Sequence, residues 1–496
     1  MSSRPLPLEA LSGAEVLRTG NISAARLPTP FNQPGRAHLT GICGAGMKAL
    51  AELLIDAGWQ VSGSDLDAEA VGASTPLQRL GVDLHAGHQS AWVSPEAKLL
   101  IYSAAIPALN PERLRAAELG LAQFSYSEAL GELTRSGESI VIAGTHGKTT
   151  TTAWTAHLLN TAELNPTAVI GGELCDPSQR NGWLGTGSSF VVEGCEYRRN
   201  FLKLRPHSAA VLGVEPDHFD YFSSFEDTVS AFREFLSRVP QSGFALLHHS
   251  RADELRSALV TGVDVETFGL DVSATWTARN IRRENGWTTF SVEYQGSHFF
   301  TGRIRLPGEQ NVANALAAGI LAYRAGAQPH QILQGWASFT GVRRRFEILR
   351  KSHGVTWVDD YAHHPTAVRL TLQTARAEFP SGRLFCIFQP HQVSRTETLI
   401  EDFARSLSAA DRTVIVPVFG ARESDSQSRV KTARRLCDKV NKYGGKASFR
   451  DSLDLILPTL EDEFRPGDVV LTIGAGDIHR IHHVSHSRFS RDHSPG

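Results

Sequence analysis

A short segment rich in glycine and threonine has the residue types that bind polyphosphates. It follows the apolar run Val141-Ile142-Ala143, precedes a segment of helical character, and reads Gly144-Thr145-His146-Gly147-Lys148-Thr149-Thr150. Glycines let backbone N–H groups point at phosphate oxygens, and the start of a helix adds positive potential. Lys148 can then reach the β- and γ-phosphates, and a hydroxyl of Thr149 or Thr150 can bind Mg²⁺.

The match of this segment to the usual GxxxxGK(S/T) pattern is incomplete, because the first glycine of the pattern would fall at Ile142. A glycine turn that joins a strand to a helix without binding a ligand is the alternative. The order of strand, Gly-Lys-Thr and helix favours phosphate binding.

A second glycine loop lies near the N-terminus, between an apolar strand and a predicted helix. Its sequence is Gly41-Ile42-Cys43-Gly44-Ala45-Gly46-Met47, and a second predicted strand ends at Asp65. This arrangement is typical of a dinucleotide site in which an acid holds a ribose, although the glycine spacing differs from GxGxxG. A tight turn without a ligand and the loop of an NAD-dependent oxidoreductase are the alternatives.

Bulk composition limits the classes of protein that fit. The chain has 496 residues, a net charge of −2 and five cysteines without a CxxC pair. This length predicts roughly two to four domains, and the charge argues against nucleic acid or an acidic membrane surface as a partner. The chain shows no apolar run long enough to span a bilayer and no signal sequence. We therefore expect a cytoplasmic protein with reduced thiols.

Three predicted strands, near residues 38, 139 and 384, each lead into polar or glycine-rich residues and a helix. Strands that alternate with helices predict an α/β fold with parallel sheets. We expect a flexible leader at residues 1–36, domains at 37–135, 136–341 and 342–481, and a disordered tail at 482–496.

Read in order, the two loops and several further motifs resemble the Mur ligases from about residue 37 to about residue 480. The further motifs are Ser62-Gly63-Ser64-Asp65, Ser103-Ala104-Ala105-Ile106, Asn110-Pro111-Glu112, Pro166-Thr167-Ala168-Val169-Ile170-Gly171-Gly172, Glu215-Pro216-Asp217-His218, Gly341-Val342-Arg343-Arg344-Arg345-Phe346, Asp359-Asp360-Tyr361-Ala362-His363-His364-Pro365-Thr366 and Phe388-Gln389-Pro390-His391. Together and in this order, the motifs form a specific signature.

The resemblance implies a Rossmann-like domain that binds a UDP-sugar, a central P-loop-type domain that binds ATP, and a Rossmann-like C-terminal lid. It implies ligation of L-alanine to UDP-N-acetylmuramate through an acyl phosphate, with ATP and Mg²⁺, by a monomer or a homodimer. A related ligase that adds a tripeptide or another amino acid is the nearest alternative. An oxidoreductase would leave Lys148 and Thr149 without a role, and a non-catalytic nucleotide-binding protein would not need Glu193 and His218.

The same resemblance implies roles for individual residues. Thr149, Glu193 and His218 would bind Mg²⁺. Lys148 and either Arg345 or Arg344 would neutralise phosphate charge, Asn311 and Asn314 would face adenine, and Asp360 would hold the ATP ribose. The alternatives are a strand-end acid for Glu193, a loop histidine for His218, helix capping for Asn311 and a turn-forming acid for Asp360.

Two sets of residues would contact the other substrates. The set for the UDP-sugar is Gly44, Ala45, Gly46, Met47, Ser64, Asp65, Ser103 and Ala104. The set for the amino acid is Tyr361, His363, His364, His391 and Arg395. Because adjacent residues in an irregular segment usually diverge, we do not predict a metal site at His363-His364; these histidines and Arg395 could also be ordinary surface residues.

Two departures from the family pattern bear on the substrates. After Glu193 the alanine-adding members usually continue with an acidic Ala-Asp-Glu-Ser-Asp run, whereas this chain has Gly194-Cys195-Glu196-Tyr197-Arg198-Arg199-Asn200. Gln392 stands where an arginine would pair with the amino-acid carboxylate, and an amide makes a weaker contact than a bidentate guanidinium. Residues 227–236 contain no lysine, so we predict no carbamylated lysine there.

Overall fold

A computed structural model describes residues 27–66, 76–135, 137–176, 178–420 and 425–482. The described chain forms three sheets, one after another in sequence. The predicted α/β fold with three domains is therefore confirmed. Most of the expected leader and nearly all of the expected tail, residues 1–26 and 483–496, lie outside the described residues.

The first domain is a parallel five-stranded sheet in the order β3-β2-β1-β4-β5. Its elements are β1 (Arg36–Thr40), α1 (Ala45–Asp56), β2 (Gln60–Asp65), α2 (Pro76–Arg79), β3 (Asp83–Ala86), β4 (Ala97–Tyr102), α3 (Pro111–Glu118), β5 (Ala122–Ser125) and α4 (Tyr126–Leu133). The chain reverses its direction of travel across the sheet between β1 and β4. A crevice at such a switch point is where open α/β sheets bind ligands.

Part of the expected flexible leader belongs to this domain. Leu27 and Phe31 are buried in the hydrophobic core, and the Phe31 ring packs against Phe124. Trp59 also donates its indole N–H to the Phe31 carbonyl at 3.0 Å. The expectation of flexibility is therefore wrong from residue 27 onwards, because apolar side chains there cover the sheet.

The middle domain is a ten-stranded sheet in the order β15-β14-β13-β12-β11-β10-β6-β9-β7-β8, parallel from β13 to β7 and antiparallel at its two ends. Its elements are β6 (Glu138–Ala143), α5 (Lys148–Thr161), β7 (Thr167–Val169), β8 (Gly182–Trp183), β9 (Ser189–Gly194), β10 (Ser208–Val211), α6 (Phe225–Leu236), β11 (Phe244–His248), α7 (Ala252–Arg256), β12 (Asp264–Leu270), β13 (Trp276–Glu284), β14 (Trp287–Tyr294), β15 (Ser297–Ile304), α8 (Glu309–Arg324) and α9 (Pro329–Ser338). The strand β6 lies between β9 and β10, so loops from all three strands meet at one edge.

The C-terminal domain is a six-stranded sheet in the order β16-β17-β21-β18-β19-β20, with only β16 antiparallel. Its elements are β16 (Glu347–Ser352), β17 (Val355–Asp360), α10 (Pro365–Glu378), β18 (Leu384–Phe388), α11 (Val393–Thr398), α12 (Ile400–Leu407), β19 (Arg412–Ile415), α13 (Ser426–Lys442), β20 (Ala447–Phe449), α14 (Ile456–Leu460) and β21 (Val469–Ile473). Within the described ranges, no helix has the length and apolar character needed to cross a bilayer.

Candidate active site

The glycine loop after β6 has the backbone that a phosphate-binding loop requires. Gly144 has φ of 136° and Gly147 has φ of 81°, which side chains rarely adopt. A Cβ on Gly147 would overlap the Asn314 carboxamide oxygen. Gly147 is followed directly by α5, which starts at Lys148 and directs the positive end of its dipole at this loop.

Lys148 is held by four oxygen contacts inside the loop. Its Nζ donates to the Gly144 carbonyl at 2.6 Å, to the Thr145 carbonyl at 3.2 Å and to Glu196, whose two carboxylate oxygens lie at 2.9 and 3.1 Å. Burial alone would lower the pKa of Lys148, but the Glu196 carboxylate outweighs it and the pKa is raised. The ammonium group is therefore charged and paired with the Glu196 carboxylate.

Thr149 and Glu193 form an oxygen pair beside the loop. The Thr149 hydroxyl donates to Glu193 Oε2 at 3.0 Å, whereas Thr150 is buried and has no comparable contact with an acid among the described residues. The other carboxylate oxygen, Glu193 Oε1, is buried without a hydrogen-bond partner in the described structure. Gly171 leaves it room, because a Cβ there would overlap Oε1.

His218 reaches the same site from the loop after β10. Its backbone has φ of 56°, and its Nε2 lies 3.4 Å from Glu196 Oε1. The Tyr197 ring packs on the His218 ring at 4.8 Å and donates its hydroxyl to Asp220 at 2.7 Å. The orientation of His218 is thus set from both sides.

Glu196 lies at the centre of this cluster, although no site role was predicted for it from the sequence. It is 2% exposed, and it joins Lys148 to His218. Burial would raise its pKa, but the charge of Lys148 and then the contact with His218 outweigh burial and lower it. The available signal was that Glu196 is the acid retained in the altered run after Glu193.

The two arginines of that run do not act alike. Arg198 and Arg199 both have left-handed backbones, with φ of 52° and 56°. Arg199 is neutralised by Asp227 at 2.7 Å and Glu234 at 3.1 Å, while Arg198 is exposed and lies over the Tyr197 ring at 5.5 Å. Of the two arginines, Arg198 is therefore the one whose positive charge changes the electrostatics beside the metal candidates.

The two asparagines predicted for adenine differ in their surroundings. Asn311 is buried and donates to the Pro307 carbonyl at 2.8 Å, as expected if it stabilises the start of α8. Asn314 accepts from the Thr151 hydroxyl at 3.3 Å and lies against Gly147. The structure thus brings Asn314 to the phosphate loop and leaves Asn311 in a structural contact.

In the C-terminal domain, the guanidinium of Arg344 is held by hydrogen bonds, whereas that of Arg345 is not within the described structure. Arg344 donates to Asp359 at 3.1 Å and to the carbonyls of Gly474 and Gly476. The Arg345 guanidinium lies 4.9 Å over the ring of Tyr361 and has no hydrogen bond in the described structure. Of the two, Arg345 is available for a phosphate.

Asp360, predicted for the ATP ribose, is buried and accepts two backbone hydrogen bonds. Its oxygens accept from the Ala362 N–H at 2.7 Å and the Phe346 N–H at 2.9 Å. Burial raises the pKa of Asp360 to about 6, against the opposing effects of Arg345 and these two donors. The carboxylate therefore holds the segment before β16 against the turn after β17, which agrees with the alternative of a turn-forming acid.

The adjacent histidines diverge, as expected. His363 bonds to the Tyr361 carbonyl at 2.9 Å and packs near the His391 ring at 5.7 Å. His391 in turn accepts from Arg395 at 3.1 Å if its Nδ1 is unprotonated. This group belongs wholly to the C-terminal domain, while His364 turns to the middle domain.

His364 lies against Glu215, Pro216 and His146 of the middle domain. Its Nε2 is 3.2 Å from the Pro216 carbonyl, and its ring centroid is 4.9 Å from that of His146. Thr366 donates its hydroxyl to Glu215 at 2.6 Å. The structure therefore does not bring His364 to the other amino-acid candidates.

In the first domain, the glycine loop is tied to the end of β2. The Cys43 N–H donates to Asp65 at 2.9 Å, so this carboxylate shapes the loop. Ser64 is buried and donates to Glu112 at 2.6 Å. Of the loop residues predicted for the UDP-sugar, Gly44 and Ala45 are exposed, and Gly46 packs on Tyr126. Met47 is 4% exposed and lies in the core, so its side chain cannot face a substrate. Ser103 is half-buried and Ala104 is exposed beside this loop.

Comparisons with known proteins agree with this geometry. Residues 36–137 match the Mur ligase family catalytic domain, residues 142–322 the Mur ligase middle domain, and residues 344–476 the Mur ligase glutamate ligase domain. The UDP-N-acetylmuramate–L-alanine ligase of Clostridium novyi is 37% identical over 450 residues, which cover 90% of this chain and 96% of the relative.

The chain belongs to the Mur ligase family. The resemblance stated from the sequence is thereby confirmed. Among solved Mur ligases, the UDP-N-acetylmuramate-alanine ligase of Thermotoga maritima has a TM-score of 0.75 at 28% identity and covers 90% of this chain and 98% of its own. A murein peptide ligase from Psychrobacter arcticus has a TM-score of 0.69 at 25% identity, with 90% and 97% covered.

Proposed function

We propose that this Mur ligase joins L-alanine to UDP-N-acetylmuramate in the cytoplasm, at the expense of ATP, during synthesis of peptidoglycan precursors. The observation that carries the proposal is the cluster of Lys148, Glu196, His218, Glu193 and Thr149 at the carboxyl edge of the central sheet. Relatives that carry this activity in their names share 34–37% identity with nine-tenths of the chain, which supports the choice of substrates.

The residues suit an acyl-phosphate mechanism. The lactyl carboxylate of the sugar would attack the γ-phosphate of ATP, and the amine of L-alanine would then attack the acyl phosphate and displace phosphate. Both partners of the first step are anions, so cations must lie between them. Lys148 would leave Glu196 for the γ-phosphate, and Arg345 would approach from the C-terminal domain.

The oxygen pair beside the loop fits Mg²⁺. The buried Glu193 Oε1 lacks a partner in the described structure, and Thr149 offers a hydroxyl next to it; both are the hard oxygen ligands that Mg²⁺ prefers. His218 would complete the site as a less typical nitrogen ligand. When bound, Mg²⁺ would neutralise phosphate charge.

Closure of the C-terminal domain would exclude water from the acyl phosphate. Arg395 lies 3.1 Å from His391 Nδ1 and is buried against Asp217 of the middle domain, which supports a role for these residues on the C-terminal side of the site. A shielded site prevents hydrolysis of a reactive intermediate. Our candidates for holding L-alanine are His363, His391, Arg395 and Tyr361.

A murein peptide ligase is the second candidate. Gln392 replaces the expected carboxylate-binding arginine, and a peptide ligase is among the structural neighbours. The test is phosphate release from ATP with UDP-N-acetylmuramate and a panel of L-alanine, glycine, L-serine and the cell-wall tripeptide. L-alanine should give the highest kcat/KM; release with the tripeptide alone would replace the proposal by the second candidate.

A further inference from the structure

Three metal-ligand side chains from two domains converge outside the Mg²⁺ candidates. They are His146 in the phosphate loop, Glu215 after β10 and His364 just before α10, and their ligand atoms lie within 4.8 Å of one another. Glu215 Oε2 is 3.6 Å from His146 Nε2 and 3.7 Å from His364 Nδ1. The carboxylate oxygen is therefore shared by both rings.

The hydrogen bonds around His364 leave a lone pair facing Glu215. The Pro216 carbonyl can only accept, so the His364 Nε2 that lies 3.2 Å from it carries the proton. Nδ1 is then unprotonated and accepts only a long contact of 3.3 Å from the Thr366 N–H. Two acceptors, Nδ1 and the carboxylate oxygen, face each other with no proton between them.

His146 contributes the third candidate ligand atom, its Nε2, which lies 3.6 Å from Glu215 Oε2. Its Nε2 is buried and has no hydrogen-bond partner in the described structure. Buried polar atoms are nearly always paired, so such an atom calls for an explanation. When its proton is on Nδ1, His146 supplies a third lone pair at Nε2, and three lone-pair donors around one point form an environment that a cation stabilises.

The surroundings have the secondary contacts that metal sites use. Ligating histidines usually donate their second N–H to a carbonyl, as His364 does to Pro216, and ligating carboxylates are themselves hydrogen-bonded, as Glu215 is by Thr366 at 2.6 Å. Tetrahedral Zn²⁺ with bonds of about 2.0–2.2 Å places its ligand atoms roughly 3.3 Å apart. The contacts of 3.6 and 3.7 Å are close to this value, and the third pair, His146 and His364, has ligand atoms within 4.8 Å of each other.

We propose that His146, Glu215 and His364 bind Zn²⁺ or a similar transition-metal ion, with water as a fourth ligand. Two imidazoles and one carboxylate favour such an ion over Mg²⁺, which prefers oxygen. Because His364 belongs to the C-terminal domain and the other two ligands to the middle domain, the bound ion fixes the closed arrangement. Inhibition of turnover by Zn²⁺ follows from this, and that consequence alone rests on the proposed function.

The direct test uses Co²⁺ as a spectroscopic substitute for Zn²⁺, with excess Mg²⁺ to occupy the oxygen-rich site. Metal-free full-length protein is titrated with CoCl₂ while the visible absorption of tetrahedral Co²⁺ is recorded. The wild type and His218→Asn should both show this absorption at one ion per chain and lose it on addition of ZnCl₂. His146→Asn and Glu215→Gln should reduce the affinity at least about tenfold.

Circular dichroism shows whether each variant is folded, and small-angle scattering gives a second readout. Zn²⁺ should make the wild type more compact but leave Glu215→Gln unchanged. The proposal is overturned by equal Co²⁺ absorption in the wild type and in folded Glu215→Gln, or by loss of the absorption in His218→Asn alone. Neither readout needs ATP or turnover, so a failed ligase assay does not affect this result.

Discussion

Arg395 Nε donates to Asp217 Oδ1 at 2.8 Å, and this ion pair joins the C-terminal domain to the middle domain. Asp217 directly precedes His218 in the sequence. The side chains of Arg395 and Asp217 are 3% and 7% exposed. Burial would raise the pKa of Asp217, but the Arg395 charge outweighs it and holds the pKa below its usual range. The contact couples domain closure to the position of the metal candidates.

Arg395→Ala should weaken closure and activity together. It removes the arginine partner of the buried Asp217 carboxylate, which keeps the His218 backbone N–H as a donor. Loss of such a partner costs about 3 kcal/mol, so kcat/KM for L-alanine should fall about 100-fold. An interdomain fluorescence pair should report a more open protein. The matched control is Glu378→Gln, which breaks the Arg283–Glu378 pair across the same two domains. A similar loss of kcat/KM in Glu378→Gln would show that the effect is not specific to the Arg395–Asp217 pair.

Lys148→Ala should abolish turnover but leave UDP-sugar binding within about twofold, because the sugar candidates lie in the first domain. Calorimetric titration with UDP-N-acetylmuramate and phosphate release measure the two properties. The variant also leaves the buried Glu196 carboxylate without its lysine partner, so it should be less stable than Lys148→Ala combined with Glu196→Gln. Equal loss of sugar binding and turnover in the stabilised double variant would contradict the division of labour between the domains.

Glu193→Gln should raise the concentration of divalent metal ion that turnover requires. The amide removes the negative charge next to Thr149, and Mn²⁺ affinity should fall at least about tenfold. Electron paramagnetic resonance of Mn²⁺ in the presence of a non-hydrolysable ATP analogue measures this affinity. The exposed Glu226→Gln is the control, and unchanged Mn²⁺ binding by Glu193→Gln would remove Glu193 from the metal site.

Asp360 should make stability depend on pH in a defined direction. Its pKa rises from 3.8 to about 6 on folding, because burial disfavours the charged form. Well below pH 3.8 the carboxyl is protonated in both states; as pH rises from there towards 6 the unfolded state ionises first and folding loses about 3 kcal/mol. The free energy of unfolding of the wild type relative to Asp360→Asn should therefore fall between pH 4 and pH 7. A difference in the free energy of unfolding between the two proteins that stays constant in urea melts across this pH range would refute the raised pKa of Asp360.

The sequence predicts the elements better than it predicts contacts between them. The strand β6, its glycine loop and the helix α5 follow from local signals, and parallel pairing puts Glu193 of β9 next to Thr149. Glu215 and His364 are 149 residues apart, and their contact depends on how two domains close, which no local pattern encodes. Arg344 and Arg345 are likewise indistinguishable in sequence; only the carbonyls of Gly474 and Gly476 single out Arg344 as structural.

The central claim is that the sugar carboxylate is activated as an acyl phosphate at the loop around Lys148. The most direct measurement uses UDP-N-acetylmuramate labelled with ¹⁸O in its lactyl carboxylate, with ATP, L-alanine and the wild-type enzyme. Mass spectrometry of the released phosphate should find one ¹⁸O atom per phosphate, transferred when the amine displaces it. Amide product accompanied by unlabelled phosphate would contradict this account.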